Sequence, residues 1–125
     1  MKQDLEVKQR VKEILTIVRQ VAPGNSVEFR IPPYAAIQCV FGSVHRRGIP
    51  PNVVEMSGHT LIELVVNPGD WDDFCHKGRI SASGTYANLK VLFSKVSKLV
   101  SSSMEGMWWP VNQSALAWHP NAIIQ

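Results

Sequence analysis

Cysteine and histidine are the residues of this sequence whose side chains could act as a nucleophile and its base. Cys75 and His76 are neighbours on a predicted helix, where successive side chains point about 100 degrees apart, so they do not face each other. Cys39 could meet His45 or His59 in the fold, but a buried, reduced structural thiol is the simpler interpretation. We therefore expect no enzyme activity.

A metal site would need more ligands than the sequence places together. His59 and Glu63 lie at positions i and i+4 of a predicted helix and would share one face, but zinc sites take three or four protein ligands. His119 belongs to a segment whose placement the sequence does not define. The chain also has no glycine-rich loop of the kind that binds nucleotide phosphates. We expect neither a metal nor another cofactor.

A polar set lies in and around the predicted strands: Glu28, Arg30, Gln38, Arg46, Arg47, Asn52 and Glu55. Arginine binds carboxylates and phosphates through two parallel hydrogen bonds, which makes Arg46 and Arg47 the candidates for holding a ligand head group. The simpler interpretation is that Glu28, Arg30 and Gln38 form cross-strand pairs on a solvent-facing sheet surface. We favour that interpretation for the set as a whole.

Helices with apolar stripes are the elements that must position these residues. Proline and glycine at 23 and 24 predict the end of the first helix. Residues 61–65 predict a brief helix, and Asp70 with Asp73 resembles the capped start of another, with Trp71, Phe74 and Cys75 as its buried side. The stripes of the first and last helices are Val7, Val11, Ile14, Leu15, Val18 and Val21, and Leu89, Leu92, Phe93, Val96, Leu99 and Val100.

Four stretches have strand character. Residues 27–31 alternate apolar and polar side chains, and residues 34–41, 52–56 and 79–83 are short and rich in residues that suit strands. Strands grouped apart from helices, with short turns between them, are typical of an α+β fold. We expect an antiparallel or mixed sheet of four to five strands, with helices covering one face.

Length, composition and charge limit the class of protein. A chain of 125 residues with 45% hydrophobic and 18% charged residues suits one globular core. A net charge of +3 and a pI of about 9.1 favour contact with anionic surfaces without implying nucleic acid. The sequence has no secretory signal and no apolar stretch long enough to span a bilayer. We expect a cytoplasmic protein without integral membrane association.

Residues 101–125 differ in character from residues 1–100. Ser101, Ser102 and Ser103 resemble a linker, and Trp108, Trp109 and Trp118 follow it. This composition is too aromatic for a disordered end. We expect one domain over residues 1–100 and a tryptophan-containing tail over 101–125 that packs on it.

Two parts of the sequence resemble a known family. Residues 71–74 (WDDF), 77–84 (KGRISASG) and 87–89 (ANL) are similar to the helix, glycine, strand, glycine, helix passage near the end of sterol carrier domains. Residues 27–39 (VEFRIPPYAAIQC) and 45–55 (HRRGIPPNVVE) resemble a bacterial, actinobacterial-type branch of that superfamily. The resemblance covers about residues 5–100. The segment between the second and third strands is shorter than in longer sterol carriers, and the tail matches no family motif.

The resemblance implies a sterol-carrier-like fold that encloses an apolar tunnel for a fatty acyl chain, a sterol or a similar lipid, without catalysis. Apart from the resemblance, the carrier hypothesis makes Trp108 or Trp109 the candidate lid, and Arg46 and Arg47 the candidates for holding a head group. The alternative is a protein-interaction or dimerisation module with a filled core, so a homodimer is left open. The expected lining is Phe29, Ile37, Leu61, Leu64, Leu89, Leu92 and Phe93.

Overall fold

Four α-helices and four strands follow one another in a computed structural model that describes residues 2–42 and 52–104. The helices are α1 (Lys2–Val21), α2 (Gly58–Val66), α3 (Trp71–His76) and α4 (Lys90–Met104). The strands are β1 (Val27–Ile31), β2 (Ala35–Cys39), β3 (Asn52–Met56) and β4 (Ile80–Ser83). Arg46, Arg47, Trp108, Trp109 and Trp118 lie outside the described residues, as do His45 and His119.

The strands form one mixed sheet in the order β2-β1-β3-β4. β1 pairs antiparallel with β2, and Phe29 lies opposite Ile37. β1 pairs parallel with β3, where Phe29 lies opposite Val54, and β3 pairs antiparallel with β4. The predicted α+β fold with a mixed sheet is confirmed.

The two faces of the sheet differ in polarity because side chains alternate along each strand. Phe29 and its neighbours of the same face, Val27 and Ile31, are fully buried. On the other face, the Arg30 guanidinium lies 3.5 Å from the Glu28 carboxylate and 3.8 Å from that of Glu55, its cross-strand partner. Arg30 therefore makes a cross-strand pair of the predicted kind, with Glu55, whereas its contact with Glu28 lies within β1.

The hydrophobic core lies between the inner sheet face and the helices. Both predicted stripes supply it: Val11, Ile14 and Val18 of α1 and Val96 and Val100 of α4 are fully buried. Three aromatic rings meet at its centre. The Phe93 ring lies edge-on to that of Phe29 at 5.8 Å and stacked on that of Trp71 at 6.1 Å. Removal of this apolar surface from water is the main force that holds the helices on the sheet.

The start of α3 departs from the prediction. Asp70 occupies the position before the helix but its side chain makes no capping hydrogen bond. It ends a 3₁₀ turn with φ −83° and ψ 3°, whereas a capping residue usually has extended backbone. Ser57 at the start of α2 does cap a helix, since its side-chain oxygen accepts a hydrogen bond from the Thr60 amide at 3.1 Å.

The end of α4 was also predicted incorrectly. The helix continues to Met104, so the three serines assigned to a linker belong to it. Serine is only moderately unfavourable in a helix, and α4 packs against α1 and α2. Leu99 is 44% exposed, because it lies about 100 degrees around the helix from Val100, which faces the core.

Candidate functional site

A partly open groove lies between the end of α1, the end of β2 and the first half of α4. Its volume is about 330 Å³. The apolar wall consists of Val21, Ala22, Val40, Leu89 and Leu92, and the polar wall consists of Thr85, Tyr86, Asn88 and Lys95. An apolar wall with a few polar groups on one side is typical of sites for small apolar ligands.

Backbone hydrogen bonds fix the first side of the groove. The amide of Val40 donates to the carbonyl of Ala22 at 2.7 Å, and the amide of Ser26 donates to the carbonyl of Val40 at 3.0 Å. Gly24, with φ 140°, turns the chain after α1, and a side chain there would overlap with the Val40 carbonyl. The end of β2 is therefore held against the end of α1.

Asn52 fixes the second side. Its side-chain nitrogen donates to the Ser26 carbonyl at 2.8 Å, and its side-chain oxygen accepts from the Tyr86 amide at 2.9 Å. Gly84, with φ 112°, packs so closely on Asn52 that a side chain would overlap with the Asn52 amide. The loop that carries the polar wall is thus attached to the sheet.

Lys95 supplies the charge of the groove. The described residues that line the groove include no aspartate or glutamate. Within the described parts of the chain, no carboxylate lies within ion-pair distance of the Lys95 ammonium group. A ligand in contact with this wall would therefore meet one uncompensated cation beside apolar surface.

The predicted lining residues separate into groups. Leu89 and Leu92 line the groove. Ile37 is half-buried and borders a separate shallow depression of about 200 Å³. Arg46, Arg47, Trp108 and Trp109 fall outside the described residues, and the remaining four, Phe29, Leu61, Leu64 and Phe93, are fully buried in the core.

Several groove residues were not predicted as lining. Val21 ends the α1 stripe, so its apolar spacing was visible in the sequence. Val40 was assigned to a strand, but its φ of 69° takes it out of β2, and nothing in the sequence indicates a positive φ for valine. Residues 85–88 form a loop without periodicity, so their position depends on the hydrogen bond from Tyr86 to Asn52.

Neither thiol is prepared for nucleophilic attack. Burial raises the pKa of Cys39 to about 11, against a smaller opposing effect of Arg19. Burial, together with the negative charge of Asp72, raises the pKa of Cys75. Since the thiolate is the nucleophile, both cysteines are almost entirely in the unreactive form near neutral pH.

Of the two candidate metal ligands on α2, Glu63 is held by an ion pair, whereas the buried Nδ1 of His59 has no hydrogen-bond partner among the described residues. The Glu63 carboxylate lies 2.9 Å from Nη1 of Arg79, whose guanidinium also lies 4.2 Å above the Phe74 ring. Within residues 2–42 and 52–104, no three histidine, cysteine, aspartate or glutamate side chains are placed to share a metal ion.

Over the same residues, none of the helices is long and apolar enough to cross a bilayer.

A comparison with known protein families gives a match over most of the chain. A family model described as bacterial SCP ortholog, in which SCP stands for sterol carrier protein, matches residues 3–94. The match includes every groove-lining residue except Lys95. A search of curated proteins found no match. The chain therefore belongs to the bacterial sterol carrier protein-like family.

Proposed function

We propose that this protein binds a hydrophobic small molecule, such as a fatty acyl chain or a sterol-like lipid, in the groove and performs no catalysis on it. The observation that carries the proposal is the groove itself. Its volume of about 330 Å³ lies at the lower end of the roughly 300–1,000 Å³ of ligand pockets, and Val21, Ala22 and Val40 of its apolar wall are only half-buried without a ligand. Membership of the sterol carrier family supports the same class of ligand.

The apolar wall supplies the driving force for binding. Each methylene group that leaves water contributes about 0.8 kcal/mol. Val21 ends α1, Val40 directly follows β2 and Leu92 lies near the start of α4, so a chain-like ligand would contact these three parts of the fold together. Because the groove is open on one side, a ligand can enter and leave without unfolding of the core, as transfer between sites requires.

The groove walls favour a binding role over an enzymatic one. Among the described residues, the polar groups of these walls are a threonine, a tyrosine, an asparagine and a lysine, without a histidine, cysteine or carboxylate. General acid–base catalysis needs a group whose pKa lies near the working pH. The two described thiols have raised pKa values and are not among these groove residues.

Native mass spectrometry of the gently purified protein tests the proposal. We expect a bound lipid mass, and saturable binding of a fluorescent fatty acid after the lipid is removed. Ala22→Trp adds bulk to the apolar wall and should weaken fatty-acid binding at least tenfold. Ala36→Trp, the same change on the exposed outer face of the sheet, should bind as the native chain does. A lipid-free mass together with no fatty-acid binding would contradict the proposal.

A second candidate function is supported by the contact of the Phe93 ring with the rings of Phe29 and Trp71. A core filled at its centre suits a protein-interaction or dimerisation module. That function predicts a concentration-dependent dimer in sedimentation equilibrium, and no change in self-association for Ala22→Trp. A strict monomer that binds fatty acid would favour the groove.

A further inference from the structure

We propose that the rim of the groove is a docking surface for a membrane that contains anionic phospholipid. The rim is defined by Phe41 and Tyr86 at the groove mouth and by the cations Arg19, Lys95 and Lys98 around it. The proposal concerns the outside of the groove, and it holds whether or not a ligand occupies the inside.

Exposed aromatic rings form the first part of the rim. Phe41 follows the groove residue Val40 and is 88% exposed, the highest value among the large apolar side chains described. Tyr86 lines the groove and is 46% exposed. A Cβ atom on Gly42, the residue after Phe41, would lie 3.7 Å from the Tyr86 ring, so the backbone segment that carries Phe41 passes beside Tyr86. Aromatic rings with one apolar and one wet side suit the boundary between lipid tails and head groups.

Cations without acidic partners form the second part. The α4 sequence contains Lys90, Lys95 and Lys98 and no carboxylate. Lys90 pairs with Asp72 at 2.6 Å, whereas Lys95 and Lys98 make no ion pair with any described residue. Leu99, one turn after Lys95, is half exposed and adds apolar surface beside these lysines. This side of α4 therefore presents positive charge and apolar side chains together.

The end of α1 contributes a third cation. Arg19 is exposed, lies two residues before the groove residue Val21, and forms no ion pair within the described ranges. It also lies near enough to Cys39, the last residue of β2, to oppose the rise in the pKa of that thiol. Cations therefore lie on α1, two residues from the groove residue Val21, as well as on α4.

Charge of one sign around an exposed phenylalanine matches an anionic bilayer better than a protein partner. Lysines near an anionic surface each contribute about 1 kcal/mol to binding, and an apolar ring adds to this by entering the head-group region. Docked in this way, the groove would open toward the lipid rather than toward water.

Co-sedimentation of the full chain with vesicles tests the docking surface. Vesicles are made of phosphatidylcholine alone, or of equal parts phosphatidylcholine and phosphatidylglycerol. We expect binding only to the second kind, and weaker binding as salt is raised. Lys95→Glu with Lys98→Glu should weaken it roughly 30-fold or more, which corresponds to the about 2 kcal/mol expected of two lysines. Phe41→Ser should also weaken it.

Lys8→Glu with Lys12→Glu is the matched control, since both lysines are exposed on α1 and the change of net charge is the same. Lys8 lies about 20 Å along the helix axis from Val21, beyond a Debye length of about 10 Å, so binding should stay within about twofold. Fatty-acid binding is measured without vesicles, which keeps failure of the ligand proposal separate from failure of this one.

Four results would overturn the docking proposal. These are no binding to anionic vesicles, equal losses in the two charge-reversed proteins, a marked fall in melting temperature for Phe41→Ser, and a dimer that Phe41→Ser abolishes. The third would mean that Phe41 is covered by the chain itself, and the fourth that a second copy occupies the rim.

Discussion

The side-chain oxygen of Asn52 accepts a hydrogen bond from the backbone amide of Tyr86 at 2.9 Å. Asn52 is 1% exposed, and its nitrogen simultaneously donates to the carbonyl of Ser26. The first residue of β3 thus joins the start of β1 to the loop that forms the polar wall of the groove. Both stability and ligand binding should depend on this one amide.

Replacing Asn52 with alanine should lower the free energy of unfolding by about 2–4 kcal/mol. The buried Ser26 carbonyl and the partly buried Tyr86 amide would lose their partner, at about 1–3 kcal/mol for each group. Asn25→Ala is the control, because Asn25 is exposed in the turn after α1 and should change stability by less than about 0.5 kcal/mol. Urea unfolding followed by circular dichroism measures both, and equal effects would contradict the role assigned to Asn52.

Alanine substitutions at three glycines can separate two costs at residue 84: the cost of a positive φ and the cost of the contact with Asn52. Gly84→Ala should destabilise by about 2 kcal/mol or more, because its φ is 112° and the new methyl group would overlap with Asn52. Gly78→Ala has a φ of 78° but open space, and should cost about 1 kcal/mol. Gly69→Ala has neither problem and should be neutral. Thermal melts in which Gly84→Ala lowers the melting temperature no more than Gly78→Ala would show that the contact of residue 84 with Asn52 is unimportant.

Arg79 should be much more important for stability than the exposed Lys77. Arg79 pairs with Glu63, which is 4% exposed, and donates to the Thr60 hydroxyl at 3.1 and 3.3 Å. Arg79→Ala should cost about 3 kcal/mol, because a buried ion pair loses one member. Lys77→Ala removes an exposed pair with Asp73 and should cost less than about 1 kcal/mol. Similar losses in denaturant unfolding would refute this ranking.

The thiol of Cys39 should react with iodoacetamide far more slowly than that of Cys75 at pH 8. Burial raises the pKa of Cys39 from 9.0 to about 11, and its side chain is inaccessible. The stabilising effect of the raised pKa is complete below pH 9 and is lost as the pH rises toward 11, because the unfolded thiol ionises first. Peptide mass spectrometry of timed labelling measures both rates. Equal rates in the native protein would contradict burial of Cys39.

The sequence predicted the elements of the fold better than the groove between them. Apolar stripes and strand alternation are local patterns, so α1, α4 and β1 could be placed from spacing alone. The groove depends on how the end of α1, the end of β2 and the loop before α4 meet. The positive φ of Val40 and the hydrogen bond between Tyr86 and Asn52, which fix this meeting, have no local signature in the sequence. Leu89 and Leu92 were predicted because they belong to a stripe. The exposure of Phe41 depends on tertiary position and could not be predicted.

Mapping a bound fatty acid by heteronuclear NMR tests the central claim most directly. Dodecanoate is titrated into the lipid-free protein, and the backbone amide signals are followed. The account predicts saturable shifts concentrated at Ala22, Val40 and Leu92, with Ala36 and Gln38 on the outer sheet face unaffected. Shifts that never saturate, or that centre on the outer face, would contradict it.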